Sequence, residues 1–111
     1  MKWNDVEMID GKFYVVDTID NMGFNMSSWV FSFKNDNSGR FALCHVCVKR
    51  YASIESFHWS VYDGGIICHN NEIKNIRPAT RDDMDYFWNY LDSWDYSYCL
   101  NTKKLRHVEI R

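Results

Sequence analysis

A chain of 111 residues with 13 Lys+Arg, 15 Asp+Glu and a formal charge of -2 has the length of one domain. Its charge balance excludes a dedicated cationic face for a nucleic-acid backbone, leaving local patches at most. Aromatic residues make up 17% of the chain, with five tryptophans and seven tyrosines, an amount that implies either an aromatic core or an aromatic recognition face.

Met1 to Asp10 is polar with scattered apolar positions and reads as a lead-in arm or one short strand, with Gly11 permitting a turn. Phe13 to Ile19 (FYVVDTI) is rich in β-branched and aromatic residues and predicts a strand, with Phe13, Val15 and Asp17 on one face and Tyr14, Val16 and Thr18 on the other. Asp20 to Met26 is a loop. Trp29 to Lys34 alternates, placing Trp29, Phe31 and Phe33 on one face and Val30, Ser32 and Lys34 on the other, the pattern of a half-buried strand. Asn35 to Gly39 (NDNSG) predicts a hairpin loop, and Phe41 to Lys49 a long returning strand. Arg50 to Ser56 fits either a helical turn or an irregular strand. Phe57 to Tyr62 alternates again, Asp63-Gly64-Gly65 suits a type I′ hairpin turn, and Ile66 to His69 would be the returning strand. Asn70 and Asn71 turn the chain into a last short strand, Glu72 to Ile76.

Pro78 pushes Arg77 out of the α region. Thr80 then fits as the N-cap of a helix predicted from Arg81 to Asp92, with Asp83 at the capping-box position. Asp82, Asp83 and Asp85 put negative charge at the positive helix end, which explains them without a metal. Met84, Phe87, Trp88 and Leu91 recur at i, i+3, i+4 and i+7 and form the face expected to plug the strand-rich half, with Tyr86 and Tyr90 as a second stripe. After the helix Trp94, Tyr96, Tyr98 and Leu100 alternate, Asn101-Thr102 turns, and Leu105 to Ile110 returns, with a slip in parity between Leu105 and Val108 that suggests a bulge.

The run IRPAT, an acidic residue three positions on, an aromatic helix and then YSYCLNTKKLRHV resembles a C-terminal module of small proteins from Bacteroidales phages, including crAss-like phages, and related mobile elements. Tyr96 and Tyr98 match that module's Tyr-x-Trp strand, Lys103 and Lys104 its charged turn and Leu105 its leucine, while Asp95 stands where a glycine is usual. The resemblance covers about a third of the chain. It implies an SH3-like small barrel ahead of the module and carries no assigned chemistry.

Several clusters invite a chemical reading. Cys44 and Cys47 form C-H-V-C, half of a structural zinc site that Cys68 and His69 could complete. Yet i and i+3 of a regular strand point to opposite faces, so core thiols are the expectation and no cofactor is assigned. A Cys68 nucleophile paired with His58 or His45 would need an orienting third group. No nucleophile elbow, phosphate loop, dinucleotide fingerprint or His-Glu-x-x-His is present, so no catalytic residue is assigned and the chain reads as non-enzymatic. Lys49, Arg50 and Tyr51, and Lys103, Lys104 and Arg106, are two small basic spots where single-stranded nucleic acid could stack. Tyr14, Tyr62, Tyr86 and Tyr90 exceed the evident needs of one core and favour protein recognition or homo-oligomerisation, with the core and its margin as an equal alternative for all four.

No segment approaches the roughly 20 apolar residues that span a bilayer, so no membrane role is expected. MKWNDVEMIDGK lacks the apolar run of a signal peptide, so the four cysteines are expected as free thiols in the cytoplasm, the host's if the chain is phage-encoded. The expectation is therefore one α+β domain over residues 1–111: a small bent antiparallel β-barrel of about five strands in 1–76, then a helix and C-terminal hairpin in 77–111. Its expected role is as an accessory, protein-binding module, with a nucleic-acid-binding barrel or a zinc-stabilised module as alternatives.

Overall fold

The structure, a computed structural model, describes residues 2–19, 22–23, 25–53 and 61–108. The chain opens with a small hairpin, β1 (Lys2–Trp3) and β2 (Val6–Glu7), where the sequence suggests an arm or a single strand. Its turn residues Asn4 and Asp5 both take positive φ, 47° and 65°. That is the backbone of a type I′ turn, which Asn and Asp tolerate better than other non-glycine residues.

Three long strands follow as an antiparallel meander: β3 (Phe13–Ile19), β4 (Met26–Phe33) and β5 (Phe41–Ala52). β4 starts three residues earlier than its alternation suggests. Ser27 is paired with both Thr18 and Ala52, and Ser28 with Asp17, so ladders on both sides hold residues of weak strand preference extended. β5 continues to Ala52, resolving the ambiguous segment in favour of a strand as far as that residue. The strand expected at Phe57 to Tyr62 lies largely outside the described residues; its end is β6 (Val61–Tyr62).

Asp63-Gly64-Gly65 is not a hairpin turn. β6 and β7 (Gly65–His69) do not pair with each other. Both pair with β5, Val61 opposite Val48, Tyr62 opposite Cys47 and Gly65 opposite Cys44, in one continuous register. They are two halves of a single edge strand, kinked where Gly64 and Gly65 take φ of 139° and 111°, values open to glycine alone among the common residues. A single 3-10 turn, Asn70–Glu72, then carries the chain to β8 (Ile73–Pro78), which pairs with β3 at the opposite edge of the sheet. Three residues bridge the two edges only if the sheet curls. The result is a half-barrel of five strands, counting β6 and β7 as one, in the order β6/β7-β5-β4-β3-β8, the bent SH3-like sheet the sequence suggests.

The helix α1 (Arg81–Ser93) and a hairpin of β9 (Tyr96–Cys99) and β10 (Lys104–His107) complete the chain. Both arms of the Thr80–Asp83 capping box form. Thr80 Oγ1 accepts from the Asp83 amide, and the Asp83 carboxylate accepts from the Thr80 amide at 2.7 Å. Asp95, the residue in place of the module's usual glycine, takes φ 61° and turns the chain from helix into hairpin. β9 and β10 pair without a bulge, Leu105 opposite Tyr98; the strand stops at His107 and Ile110 lies outside the described residues.

The sheet separates two cores. On the concave side Tyr14, Val16, Phe31, Phe33, Cys44, Cys47 and Ile76 pack with Met8 from the N-terminal segment. On the convex side Val15, Val30, Val46 and Val48 meet Phe87 and Leu91 of the helix and Tyr98 of the hairpin. The predicted alternation holds for Tyr14 and Val16 against Phe13 and Val15 in β3, and for Trp29, Phe31 and Phe33 against Val30 in β4, which ends before Lys34. Of the two readings of Tyr14 the core one holds: it is fully buried, its hydroxyl donating to the Glu7 carbonyl and accepting from the Ile9 amide, both at 2.8 Å.

Candidate functional site

α1 sits on the convex face because its apolar residues recur at helical spacing. Phe87 and Leu91 are buried, and Met84 half-buried, against the valines of the sheet. Phe13 of β3 packs its ring edge-on to Phe87 at 4.9 Å and Tyr98 of β9 closes the cluster, 6.3 Å from both. Trp88, predicted as part of this plug, lies at its rim. It contacts Phe87 at 4.9 Å and Phe13 at 6.5 Å, yet 37% of it faces solvent.

The helix is locked to the half-barrel by one carboxylate. Asp83 is buried to 1% exposure. Its oxygens accept from both terminal nitrogens of Arg77 on β8, from Arg50 on β5, and from the Thr80 amide and hydroxyl. Arg77 and the Thr80 bonds hold its carboxyl well below the usual carboxylate range despite the opposing effect of burial, with Arg77 the largest cause. The sequence marks Asp83 as a helix-start acid only; two arginines distant in sequence make it the junction of three elements. Pro78 supports this arrangement as the last residue of β8, and the following Ala79 amide donates to the Phe13 carbonyl at 3.0 Å.

Both basic spots are partly occupied within the fold. Arg50 is on Asp83 and lies 5.9 Å from the Tyr86 ring centre. Lys49 sits over the Trp29 ring at 5.4 Å, while Tyr51 is exposed. Lys103 binds Asp10 at 2.8 Å, and Asp10 also takes His45 and the Asn35 amide. Those contacts, Lys103 first, hold the Asp10 carboxyl below its usual range. Lys104 and Arg106 are exposed on β10.

Cys44 and Cys47 do not point apart. Opposite Ser32 and Phe33 the β5 register skips His45, and that bulge turns both thiols into the concave core. They border a small pocket of about 80 Å³ with Trp29, Gly64, Ile66 and Ile67. Cys68 is buried and its thiol is pushed up to about 12 by burial, then by Glu72. The His69 ring packs on Phe41 at 4.8 Å. Among the described residues no three His, Cys, Asp or Glu side chains converge, so the zinc set Cys44, Cys47, Cys68 and His69 is not assembled. The pairing of Cys68 with His58 lies outside the described residues.

The C-terminal module instead exposes aromatic surface. Trp94 is 60% exposed and Leu100 56%. Tyr86, Tyr90 and Trp94 line one side of the helix with ring centres 5.8 and 6.4 Å apart. The Tyr86 hydroxyl is anchored on the Lys49 carbonyl at 3.1 Å. On the other side of the helix an open groove of about 350 Å³ runs between Trp88, Asn89, Leu91 and Asp92 of α1 and Tyr96, Ser97 and Tyr98 of β9. The exposed acids Asp82, Asp85 and Asp92 make no ion pair among the described residues. The sequence signals the Tyr86–Tyr90 stripe; it does not signal the groove, which depends on how β9 returns beneath the helix.

Among the described residues no helix is long and apolar enough to cross a membrane. No protein-family model, curated protein or solved structure matches the chain.

Proposed function

We propose that this chain is a non-enzymatic protein-binding module, an accessory protein of a phage or mobile element acting in the host cytoplasm, and that it binds through the outer surface of α1 and the C-terminal hairpin. The observation that carries this reading is the exposure of Trp94 and Leu100, with Trp88 at the rim of the core, on a unit clasped to the barrel through Asp83. Large exposed aromatics on a rigid support lose little conformational entropy on binding and are favoured at interface centres. The bent sheet serves as a scaffold, since each of its faces carries a packed core. The resemblance of the IRPAT helix–hairpin to modules of small Bacteroidales-phage proteins supports the viral setting.

The test is capture from a Bacteroidales host lysate by immobilised wild-type chain and by Trp94→Ser. A retained protein that is lost with Trp94→Ser supports the reading. Equal retention by both moves the interface elsewhere. Salt-sensitive retention of single-stranded DNA in place of any protein replaces the reading with nucleic-acid binding. Light scattering on the isolated chain shows whether the captured partner is a second copy.

A further inference from the structure

The groove between α1 and β9 combines features that together select a charge. Trp88 and Asp92 are four residues apart on one helix, so they stand side by side along the same wall. The Trp88 and Tyr98 ring centres lie 6.4 Å apart with planes inclined at 39°, and Tyr96 closes the opposite wall. Aromatic faces attract cations, and a carboxylate without an ion pair adds a full negative charge at the rim. No Lys or Arg lines the groove. An anion would meet Asp92, and a purely apolar group would leave Asp92 and Asn89 to be desolvated without a partner.

We propose that this groove is the seat for an arginine side chain of a partner protein. Arginine fits better than lysine because its planar guanidinium stacks on an indole while presenting paired donors to a carboxylate. The inference rests on the protein-binding reading above and specifies its contact: the exposed side of Trp88, backed by the buried Tyr98 ring, takes the guanidinium face, Asp92 takes its edge, and Trp94 and Leu100 lie outside this seat and cover flanking residues of the partner.

The experiment titrates isotope-labelled full chain with a tri-arginine peptide at low salt and follows the tryptophan indole signals, that of Trp88 assigned with Trp88→Phe. Tri-lysine and tri-citrulline peptides are the comparison arms; citrulline keeps the shape and removes the charge. The expected result is a saturable shift of the Trp88 indole with tri-arginine, a weaker one with tri-lysine and none with tri-citrulline. Asp92→Asn weakens tri-arginine binding about three- to fivefold, the range of one exposed ion pair. Asp82→Asn, on the same helix but away from the groove, leaves it unchanged. Equal shifts with citrulline, an unmoved Trp88 indole, or equal loss with Asp82→Asn overturns the proposal, as does a Trp88 shift on concentrating the chain alone, which makes a second copy the occupant. If the arginine arm fails while lysate capture is still lost with Trp94→Ser, the seat falls and the protein-binding reading stands.

Discussion

Arg77 and Asp83, six residues apart, grip each other across the start of α1. Nη1 of Arg77 donates to Oδ2 of Asp83 at 2.5 Å and Nη2 to Oδ1 at 3.2 Å. A forked guanidinium on a carboxylate fixes orientation as well as distance. Because Arg77 lies one residue from the end of β8 and Asp83 in the first turn of α1, this contact fixes the C-terminal module against the half-barrel. Arg50 reaches the same carboxylate from β5. The R-P-A-T-x-x-D stretch therefore reads physically as a clasp: an arginine, a residue that ends the strand, a cap, and the acid that receives both.

Asp83→Asn keeps the shape and the capping acceptor but leaves two guanidinium groups facing a neutral amide. It is expected to cost about 2–3 kcal/mol, below the full penalty for breaking a buried pair because both arginines retain access to water. Arg77→Gln is expected to cost about 1 kcal/mol, since the Asp83 carboxylate keeps Arg50 and the Thr80 bonds. Urea unfolding should show lower midpoints at unchanged slope. A cost for Asp83→Asn within the scatter of surface substitutions removes the clasp from the account of stability.

The same carboxylate sets an acid limit. An unfolded aspartate titrates near about 3.9, whereas Asp83 in the fold is held lower by Arg77 and Thr80. A depressed folded-state value means the unfolded chain takes up the proton first. The Asp83 contribution to stability is thus complete above the unfolded value and is lost as pH falls through the folded one. Asp10 shifts in the same direction, Lys103 foremost, but its side chain is 39% exposed and solvent screens it. Unfolding followed from pH 7 down to pH 2 should show the wild type losing stability below about pH 4. Asp83→Asn should flatten that limb markedly and Asp10→Asn only slightly. An unchanged limb in Asp83→Asn would place the acid sensitivity elsewhere.

Much of this architecture was legible in the residues, and the gaps have physical causes. The side-chain alternation of β3 and β4 and the Thr80 cap follow from local periodicity and capping chemistry, so they could be read directly. The role of Asp63-Gly64-Gly65 could not. A glycine pair serves a hairpin turn and an edge-strand kink equally well, and only the β5 register decides between them. Cys44 and Cys47 were assigned opposite faces by regular strand geometry; the bulge at His45, set by pairing with β4, cancels the parity. Whether Tyr14 is core or surface is open in the sequence because a buried tyrosine needs a partner for its hydroxyl, and that partner, the backbone at Glu7 and Ile9, has no local signal. The groove beside Trp88 is a tertiary feature with no local signal.

The thiols should separate cleanly by reactivity. Cys99 is exposed, and hydrogen bonds from Thr102 lower its thiol from the ordinary value. Cys44, Cys47 and Cys68 are buried, and Cys68 is pushed up to about 12. Thiolate fraction and access together control reaction with a disulfide reagent. The native chain at pH 8 is expected to show one fast thiol, absent from Cys99→Ser, with the other three reacting only on unfolding. Two or more fast thiols in the native protein would contradict the burial of the concave core.

The N-terminal hairpin should depend on a single hydroxyl. Tyr14 lies in the middle of the concave core, edge-on to Phe33 with ring centres 6.4 Å apart and tilted against Phe31 at 6.1 Å, so Tyr14→Phe leaves its packing intact. What it removes is the pair of hydrogen bonds to the Glu7 carbonyl and from the Ile9 amide. Those bonds fasten Glu7 and Ile9, while Asp10 to Lys12 are held separately, by Asn35 and Lys103 on Asp10 and by the Gly11–Phe33 and Phe33–Lys12 backbone bonds. Both backbone groups are only partly buried, so water replaces some of the loss and the expected global cost is about 1 kcal/mol. The sharper effect is local. Without the hydroxyl, residues 2–9 are tied to the barrel mainly by Met8 and by contacts of Trp3 and Val6 with the core. Hydrogen exchange at the Ile9 amide should accelerate about tenfold, the factor that corresponds to ~1.4 kcal/mol, while amides in β3 and β4 keep the rates set by global unfolding. If Ile9 exchanges no faster in Tyr14→Phe, the hydroxyl is not the anchor of the hairpin.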